Sequence, residues 1–271
     1  MMAGMRVHFA PPPEDLAPYV HCFWGWQASG AEPMALPLLL PGTGAELHLH
    51  HGSPFRLDDG TALPPAYLLC LRQARLPLAA ARDVGFVAVR LRIGQVHRLL
   101  APPPSALLDQ VLPLDEGWGR AGRTLAARVR DAAGWDARLA LLIDFLRRQI
   151  GVGTEDALVA EGMARLYRER GRQTIDGLAS GLGMGRRQLE KRWRRYCGQT
   201  PAETRGAIRF QHTMKQILLR PDEAPLALAL DHGYYDQAHW IHDFRRRLGQ
   251  APARQLAALR GRPHFYNPAG P

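Results

Sequence analysis

The chain has 271 residues, 46% of them apolar and 22% charged, a globular composition that excludes wholesale disorder and gives room for one large domain or two ordinary ones. Its 35 basic and 25 acidic side chains give a formal charge of +10, which favours a polyanionic partner. Only Lys191 and Lys215 are lysines, an arginine bias that GC-rich coding also produces, so the distribution of charge has to decide. Residues 1–150 hold 15 Arg and 13 Asp/Glu, whereas residues 151–271 hold 20 Arg/Lys and 12 Asp/Glu, which puts the basic surface in the second part of the chain.

Taken from the start, Met1–Leu16 lacks the basic region and apolar stretch of a secretory signal. No apolar run approaches the ~18–20 residues that cross a bilayer. Cys22, Cys70 and Cys197 are far apart, so neither a disulfide framework nor a zinc finger is expected. A reducing cytoplasm, with the chain at the nucleoid, is the expected location. From Val7 to about Leu114, short apolar or alternating runs (Tyr19–Trp26, Leu36–Leu40, Glu46–His50, Ala66–Leu71, Phe86–Ile93) are separated by the turns Pro11–Pro13, Pro41–Gly44, Asp58–Gly60 and Pro102–Pro104. That spacing predicts a β sandwich or barrel. The alternation Val87-Ala88-Val89-Arg90-Leu91-Arg92 predicts a half-buried strand with its arginines outward. Glu46, His48 and His50 share one strand face. Paired histidines of this kind can bind a metal, as in cupin-like barrels; the other reading is a half-exposed strand with ordinary imidazoles. No distal His/Glu group completes a site, His97 being the one remote candidate, so no metal or cofactor is expected.

Helical periodicity starts at about Gly122, and Trp135–Ile150 places Leu139, Leu142, Ile143, Leu146 and Ile150 on one stripe, with Gly151-Val152-Gly153 as a stop. The stripe fits packing on the β domain or pairing with a second chain, and pairing is favoured because linking two copies raises the effective concentration of the binding modules each carries. Asp156–Arg170 is a further helix. An internal repeat then follows. Leu178-Ala179, Gly183, Leu189, Trp193, Gly198 and Pro201 recur as Leu228-Ala229, Gly233, Trp240, Phe244, Gly249 and Pro252, with one residue gained in the second turn. Arg194-Arg195 matches Arg245-Arg246 in the same register. Each copy reads as a short helix, a glycine turn and a longer helix, and Ala202–Leu219 reads as the helix connecting them. Ala179 and Ala229 fit a close helix crossing, Asp236 an N-cap, and Gly198 and Gly249 helix stops. Trp193, Tyr196, Trp240, Phe244 and Leu248 are expected in the core, while Arg247 stands with Arg194, Arg195, Arg245 and Arg246 on an outward face, either simply solvated or, as a set, in contact with the anionic partner.

These residues, above all Gly233-Tyr234-Tyr235-Asp236-Gln237-Ala238-His239-Trp240 through Phe244 and Gly249 to Pro252, resemble the DNA-binding domain of AraC/XylS-type bacterial transcription regulators across about residues 155–260. The resemblance implies two helix-turn-helix units on one frame, with their recognition helices in successive major grooves. Carried over by position, Gly185, Arg187, Glu190, Lys191, Gln237, Ala238, His239 and His242 stand where base or adjacent contacts are made. Arg186, Arg194, Arg195, Arg245 and Arg246 are the phosphate candidates. Lys191 replaces the commoner arginine and His242 a longer basic residue, so base preference cannot be read out, although Arg187 to guanine and Gln237 to adenine are sound pairings. Leu16–Trp24, Leu38–Gly42 and Gly85–Arg92 resemble a β-rich sensor domain found before the same module in some of these regulators.

The expected protein is α+β with two domains: a β-rich effector or dimerisation domain at 1–134, which is a barrel or sandwich with a cupin-like form among the options, and an all-α double helix-turn-helix domain at 155–260. Between them lies the helix and linker at 135–154, and 261–271 is a flexible tail. Double-stranded DNA is the implied partner, with RNA polymerase, a small-molecule effector and a second copy of the chain as further candidates, and no membrane. No enzyme is expected, since GxSxG, GxGxxG, HExxH and a phosphate loop are missing and the separated cysteines do not form an alkyl-repair centre. The alternative is a metal-dependent β-barrel enzyme, or small-molecule sensor, carrying an accessory DNA-binding tail.

Overall fold

The computed structural model describes residues 6–30, 32–36, 39–41, 44–70, 72–100, 104–151 and 156–259. Residues Pro37, Leu38, Gly42, Thr43, Leu71, Pro102 and Pro103 of the expected strands and turns, the Val152-Gly153 stop and the 261–271 tail lie outside them. Strands β1 Arg6–Ala10, β2 Val20–Ala28, β3 Glu46–His50, β4 Ala66–Leu69, β5 Val84–Leu91 and β6 Val111–Pro113 form one sheet in the order β1-β2-β5-β3-β4-β6. Every neighbouring pair is antiparallel. β1 and β6 stay at opposite edges, so the sheet does not close on itself. The sandwich character comes from irregular segments laid over one face and tied by the bridges Met34 to Ala81, Leu39 to Leu76 and Leu57 to Leu78. Among the described residues of the expected strand at Leu36–Leu40, Leu39 alone makes a bridge.

Two helices, α1 Leu114–Asp131 and α2 Gly134–Gln149, cover the other face, where Leu47, Leu49, Val87 and Val89 meet Leu125, Val129, Leu142, Phe145 and Leu146. Burial on both sides corrects the half-exposed readings of two strands. β5 lies between β2 and β3, so its alternation marks two buried faces; Arg92 reaches solvent while Arg90 turns back onto Glu46. All five residues of β3 are buried, His48 and His50 included. The stripe of α2 is likewise spent inside its own chain, which corrects the expectation that Leu142 and Leu146 pair two copies. Helix α1 begins at Leu114, ahead of the helical periodicity expected from about Gly122, because Gly117 and Gly119 interrupt its start, and the chain kinks at Gly119, where φ is 52°.

The remaining helices are α3 Ala157–Arg168, α4 Ile175–Gly181, α5 Arg186–Cys197, α6 Pro201–Leu219, α7 Pro225–Asp231, α8 Gln237–Leu248 and α9 Pro252–Leu259. No described helix is long and apolar enough to cross a membrane. α6 starts on a capping box, with Thr200 and Glu203 exchanging side-chain and backbone hydrogen bonds and Pro201 in the first turn. It then feeds two cores. Ile208 joins Val159, Leu166, Leu178, Leu189 and Trp193, whereas Phe210, Met214 and Ile217 join Leu228, Trp240, Phe244 and Leu248. One rigid helix thereby fixes the spacing of α5 and α8.

Candidate nucleic-acid interface

The first unit is α4, a turn and α5. Thr174 caps α4 by accepting from the Gly177 amide at 3.1 Å, and Leu178 and Ala179 are buried against α5. Gly183 turns the chain at φ 67°, a conformation in which any other residue would be strained. Inside, Trp193 Nε1 donates to Thr204 Oγ1 at 3.0 Å, which locks α5 to α6. Asp156, which caps α3, also accepts from Arg192 at 2.7 and 2.9 Å. The outward surface of α5 carries Arg186, Arg187, Lys191, Arg194 and Arg195, with Glu190 half-buried among them. Arg186 is held by Asp176 at 3.2 Å and Glu190 at 3.1 Å, whereas no carboxylate partner of Arg187, Lys191 or Arg194 is found among the described residues. Spaced i, i+4, i+7, these three form one cationic stripe.

The second unit, α7, a turn and α8, repeats that frame with different chemistry. Gly233 turns the chain at φ 88°, and Asp236 caps α8 by accepting from the His239 amide at 2.7 Å. Both long helices end on a left-handed glycine, Gly198 at φ 77° and Gly249 at φ 76°. Tyr234 takes the place of Met184, its amide donating to the Ala229 carbonyl at 3.2 Å, and is buried with its hydroxyl donating to Asp243 Oδ2 at 2.7 Å; the extra turn residue is Tyr235. Asp243 also accepts from Arg247 Nε at 3.0 Å and Arg246 Nη2 at 2.8 Å. Burial pushes the Asp243 carboxyl up, but Arg247, Arg246 and the Tyr234 hydroxyl outweigh it and hold the group below its ordinary value. Arg247 is only 3% exposed and lies over the Phe210 ring at 5.3 Å. It is thus a core residue, which the sequence reading missed by placing it with the outward arginines. Gln237, Ala238, His242, Arg245 and Arg246 are exposed. His239 is half-buried; burial and then Arg209 hold its imidazole below the ordinary histidine value, so the ring is neutral at neutral pH.

The β half touches both units away from these surfaces. Ile93 joins the first core, and His97 packs on Tyr196 with ring centroids 4.4 Å apart. A Cβ on Gly198 would meet the Pro104 carbonyl carbon at 2.6 Å. On the second unit, the Arg75 amide donates to the Arg247 carbonyl at 2.8 Å, Gln211 donates to the Pro41 carbonyl at 3.2 Å, and Leu40 packs on the core.

Within the β half, His48 and His50 face the bridged layer with Trp24, Phe55, Tyr67 and Phe86. His48 stacks on Tyr67 and reaches Glu46 at 3.1 Å. The Glu46 carboxyl would be raised by burial, but Arg90, His48 and Arg72 bring it down to about 2. His50 is 4% exposed, and burial followed by repulsion from His48 and His51 brings it down to about 3. Both His50 nitrogens, His48 Nδ1 and the Tyr67 hydroxyl lack hydrogen-bond partners among the described residues. No group of three His, Cys, Asp or Glu with metal-holding geometry occurs among those residues, and His97, on Tyr196, is not part of this cluster.

Two helix-turn-helix units displayed by one connecting helix define a DNA-binding module. Residues 178–257 match the family model for a helix-turn-helix domain, which agrees with the module that resembles the AraC/XylS type and supports DNA binding by this part of the chain. No curated protein sequence matches it. Among solved structures, ToxT from Vibrio cholerae O395 is similar at 14% identity and a TM-score of 0.45, over 95% of this chain and 98% of that one. ToxT from Vibrio cholerae in another crystal form gives 10% identity and a TM-score of 0.49 over 95% and 100%. Wild-type ToxT from Vibrio cholerae strain SCE256 with bound unsaturated fatty acid gives 11% and 0.42 over 94% and 97%.

Proposed function

We propose that the protein reads DNA sequence with α5 and α8 in successive major grooves of one duplex. The observation that carries this reading is the placement of α5 and α8 by a single helix, α6, which feeds both cores. Arg187, Glu190 and Lys191 of α5, after the Gly185 N-cap, and Gln237, Ala238, His239 and His242 of α8 are assigned to the bases and the adjoining backbone. Arg186, Arg194, Arg195, Arg245 and Arg246 are assigned to phosphates. The functional units are taken as 1–134, 135–154 and 155–260. The β half senses a small-molecule effector and acts on the units through Ile93, His97, Pro104, Leu40, Pro41 and Arg75. Its sensing element is the buried cluster of His48, His50 and Tyr67, since unpartnered polar atoms in an aromatic interior are costly unless something uses them. The protein acts by binding rather than by catalysis, in the cytoplasm at the nucleoid, in contact with RNA polymerase, and as a homodimer that uses a surface other than the α2 stripe. Selection from random duplex DNA by the full-length chain tests the reading: one enriched sequence with strongly salt-dependent affinity is expected, and failure to enrich any sequence refutes it.

A further inference from the structure

The two recognition helices differ in a way that charge alone does not reconcile with a shared task. From Arg186 to Trp193, α5 carries Arg186, Arg187, Lys191 and Arg192, whereas the corresponding stretch of α8, Gln237 to Phe244, contains no Arg or Lys. Its histidine nearest the turn, His239, is neutral. The second turn has one residue more than the first, and Tyr234 fills the interior space with its hydroxyl on Asp243. Tyr235 is left outside, 89% exposed, directly ahead of the N-cap Asp236, after which Gln237 and Ala238, also exposed, open α8. The first unit has no counterpart to it: Met184, half-buried, pairs with Tyr234, each amide donating to the matching alanine carbonyl, Ala179 at 3.1 Å and Ala229 at 3.2 Å, and Tyr235 is the residue gained.

The base of this aromatic is held firmly. The Tyr235 amide donates to His239 Nδ1 at 3.2 Å. Arg209 of α6 donates to the Gly233 carbonyl at 3.1 Å and lies over the Tyr234 ring at 4.4 Å. A wholly exposed ring on a pinned backbone loses little conformational freedom when a surface closes on it, which is what makes tyrosine an effective contact residue.

We infer that Tyr235 is a DNA contact of the second unit, its ring packing on the sugar-phosphate wall or on thymine methyl groups of the groove that receives α8. The inference rests on the DNA-reading function proposed above and deepens it: the first turns of α5 meet the duplex by charge, whereas those of α8 meet it by apolar and uncharged polar contact, its cations, Arg245 and Arg246, lying further along the helix. Ring burial releases no counterions, so its contribution persists as salt rises, unlike that of a phosphate-bound arginine.

The test uses the full-length protein and the duplex it enriches from random DNA. Tyr235→Ala should weaken binding on the order of tenfold at both low and moderate salt, with an unchanged melting temperature. Tyr235→Phe should stay within about twofold of the wild type, while the loss from Arg194→Ala should shrink as salt rises. Wild-type affinity in Tyr235→Ala would leave the ring to a protein partner and overturn the inference while the DNA-binding reading stands. A Tyr235→Ala loss that vanishes at moderate salt, or a Tyr235→Phe loss as large as that of Tyr235→Ala, would also overturn it. Failure of the wild type to enrich any duplex would instead refute the underlying function.

Discussion

At the third inward position of its recognition helix, the first helix-turn-helix unit has Tyr196, and at the matching place the second has Arg247. The same backbone frame is therefore filled in two ways. In the first unit an apolar core of Leu189, Trp193 and Tyr196 leaves the cations outside, on the stripe of Arg187, Lys191 and Arg194. In the second, a cation goes inside, where Asp243, Tyr234 and the Phe210 ring satisfy it, and the front of α8 is uncharged. Symmetry of fold thus carries no symmetry of binding chemistry. The glycines, caps and small residues that shape the turns recur, while the residues that choose between charge and contact do not.

This contrast predicts its largest effect inside the second unit. Asp243→Ala would strand Arg247, which is only 3% exposed, and remove the partner of the Tyr234 hydroxyl, so stability should fall by about 3–5 kcal/mol. The matching change in the first unit, Arg192→Ala, removes a partly exposed, solvent-screened pair with Asp156 and should cost far less. Urea unfolding of both variants measures the gap, and equal losses would show that the second core does not depend on its buried charge.

On the DNA side, Arg187→Ala should lose about 1–3 kcal/mol of discrimination at one base step, whereas Arg194→Ala should weaken specific and random duplexes by the same factor. Competition binding with single-base variants of the selected duplex separates the two, and identical profiles would contradict the division between base and phosphate roles.

Much of this contrast was legible in the sequence, and the part that was not has a physical cause. The repeat, the glycine turns, the Asp236 cap and the bounds of α5 and α8 are local properties, set by a few residues and backbone geometry, and they read out almost residue by residue. The burial of Arg247 was hidden because it depends on Asp243, one helical turn back, and on Phe210 of another helix, neither of which marks the arginine as internal. Likewise the alternation of β5 and the histidines of β3 suggested one wet face. The partner layers come from segments with weak periodicity of their own, the bridged loops and the glycine-interrupted α1, so the second buried face could not be inferred locally. The one signal that could have exposed the second unit's chemistry was the extra turn residue, since two adjacent tyrosines in so short a turn cannot both point inward.

Acid should distinguish the buried charge of the second unit from the buried histidines of the β half. His50 is brought down to about 3 and His51 to about 4 from an ordinary 6.5, in each case chiefly by burial. Between 6.5 and those values the unfolded chain binds protons that the folded chain refuses, so stability falls as pH drops from 6.5, down to about 3 for His50 and about 4 for His51, by up to about 1.4 kcal/mol per pH unit for the buried His50 and less for the half-buried His51. His50→Phe should therefore flatten the acid limb of the unfolding curve, and an unaltered slope would show that His50 is not held neutral. Asp243→Ala should leave that slope between pH 6.5 and 5 as it is, because a carboxyl held below its ordinary value titrates at lower pH.

The smallest expected effect separates two adjacent arginines of the first unit. Arg186 and Arg187 are both exposed at the start of α5, but Arg186 already bridges Asp176 of α4 and Glu190 of its own helix. These hydrogen bonds and charges raise the Arg186 guanidinium above its ordinary value, the Glu190 hydrogen bond contributing most. To reach a phosphate, Arg186 has to give up two carboxylates, and the attraction it gains is partly cancelled by the charges it leaves behind. Arg186→Ala should consequently reduce DNA affinity less than Arg194→Ala does, by about twofold rather than several-fold, and leave stability nearly unchanged, as loss of an exposed pair does. Adding Asp176→Ala and Glu190→Ala to the wild type should, by contrast, free Arg186 and tighten non-specific binding. Salt-dependent titration of the single, double and triple variants measures this coupling, and an Arg186→Ala loss equal to that of Arg194→Ala would show that the bridges do not restrain Arg186 once the duplex arrives.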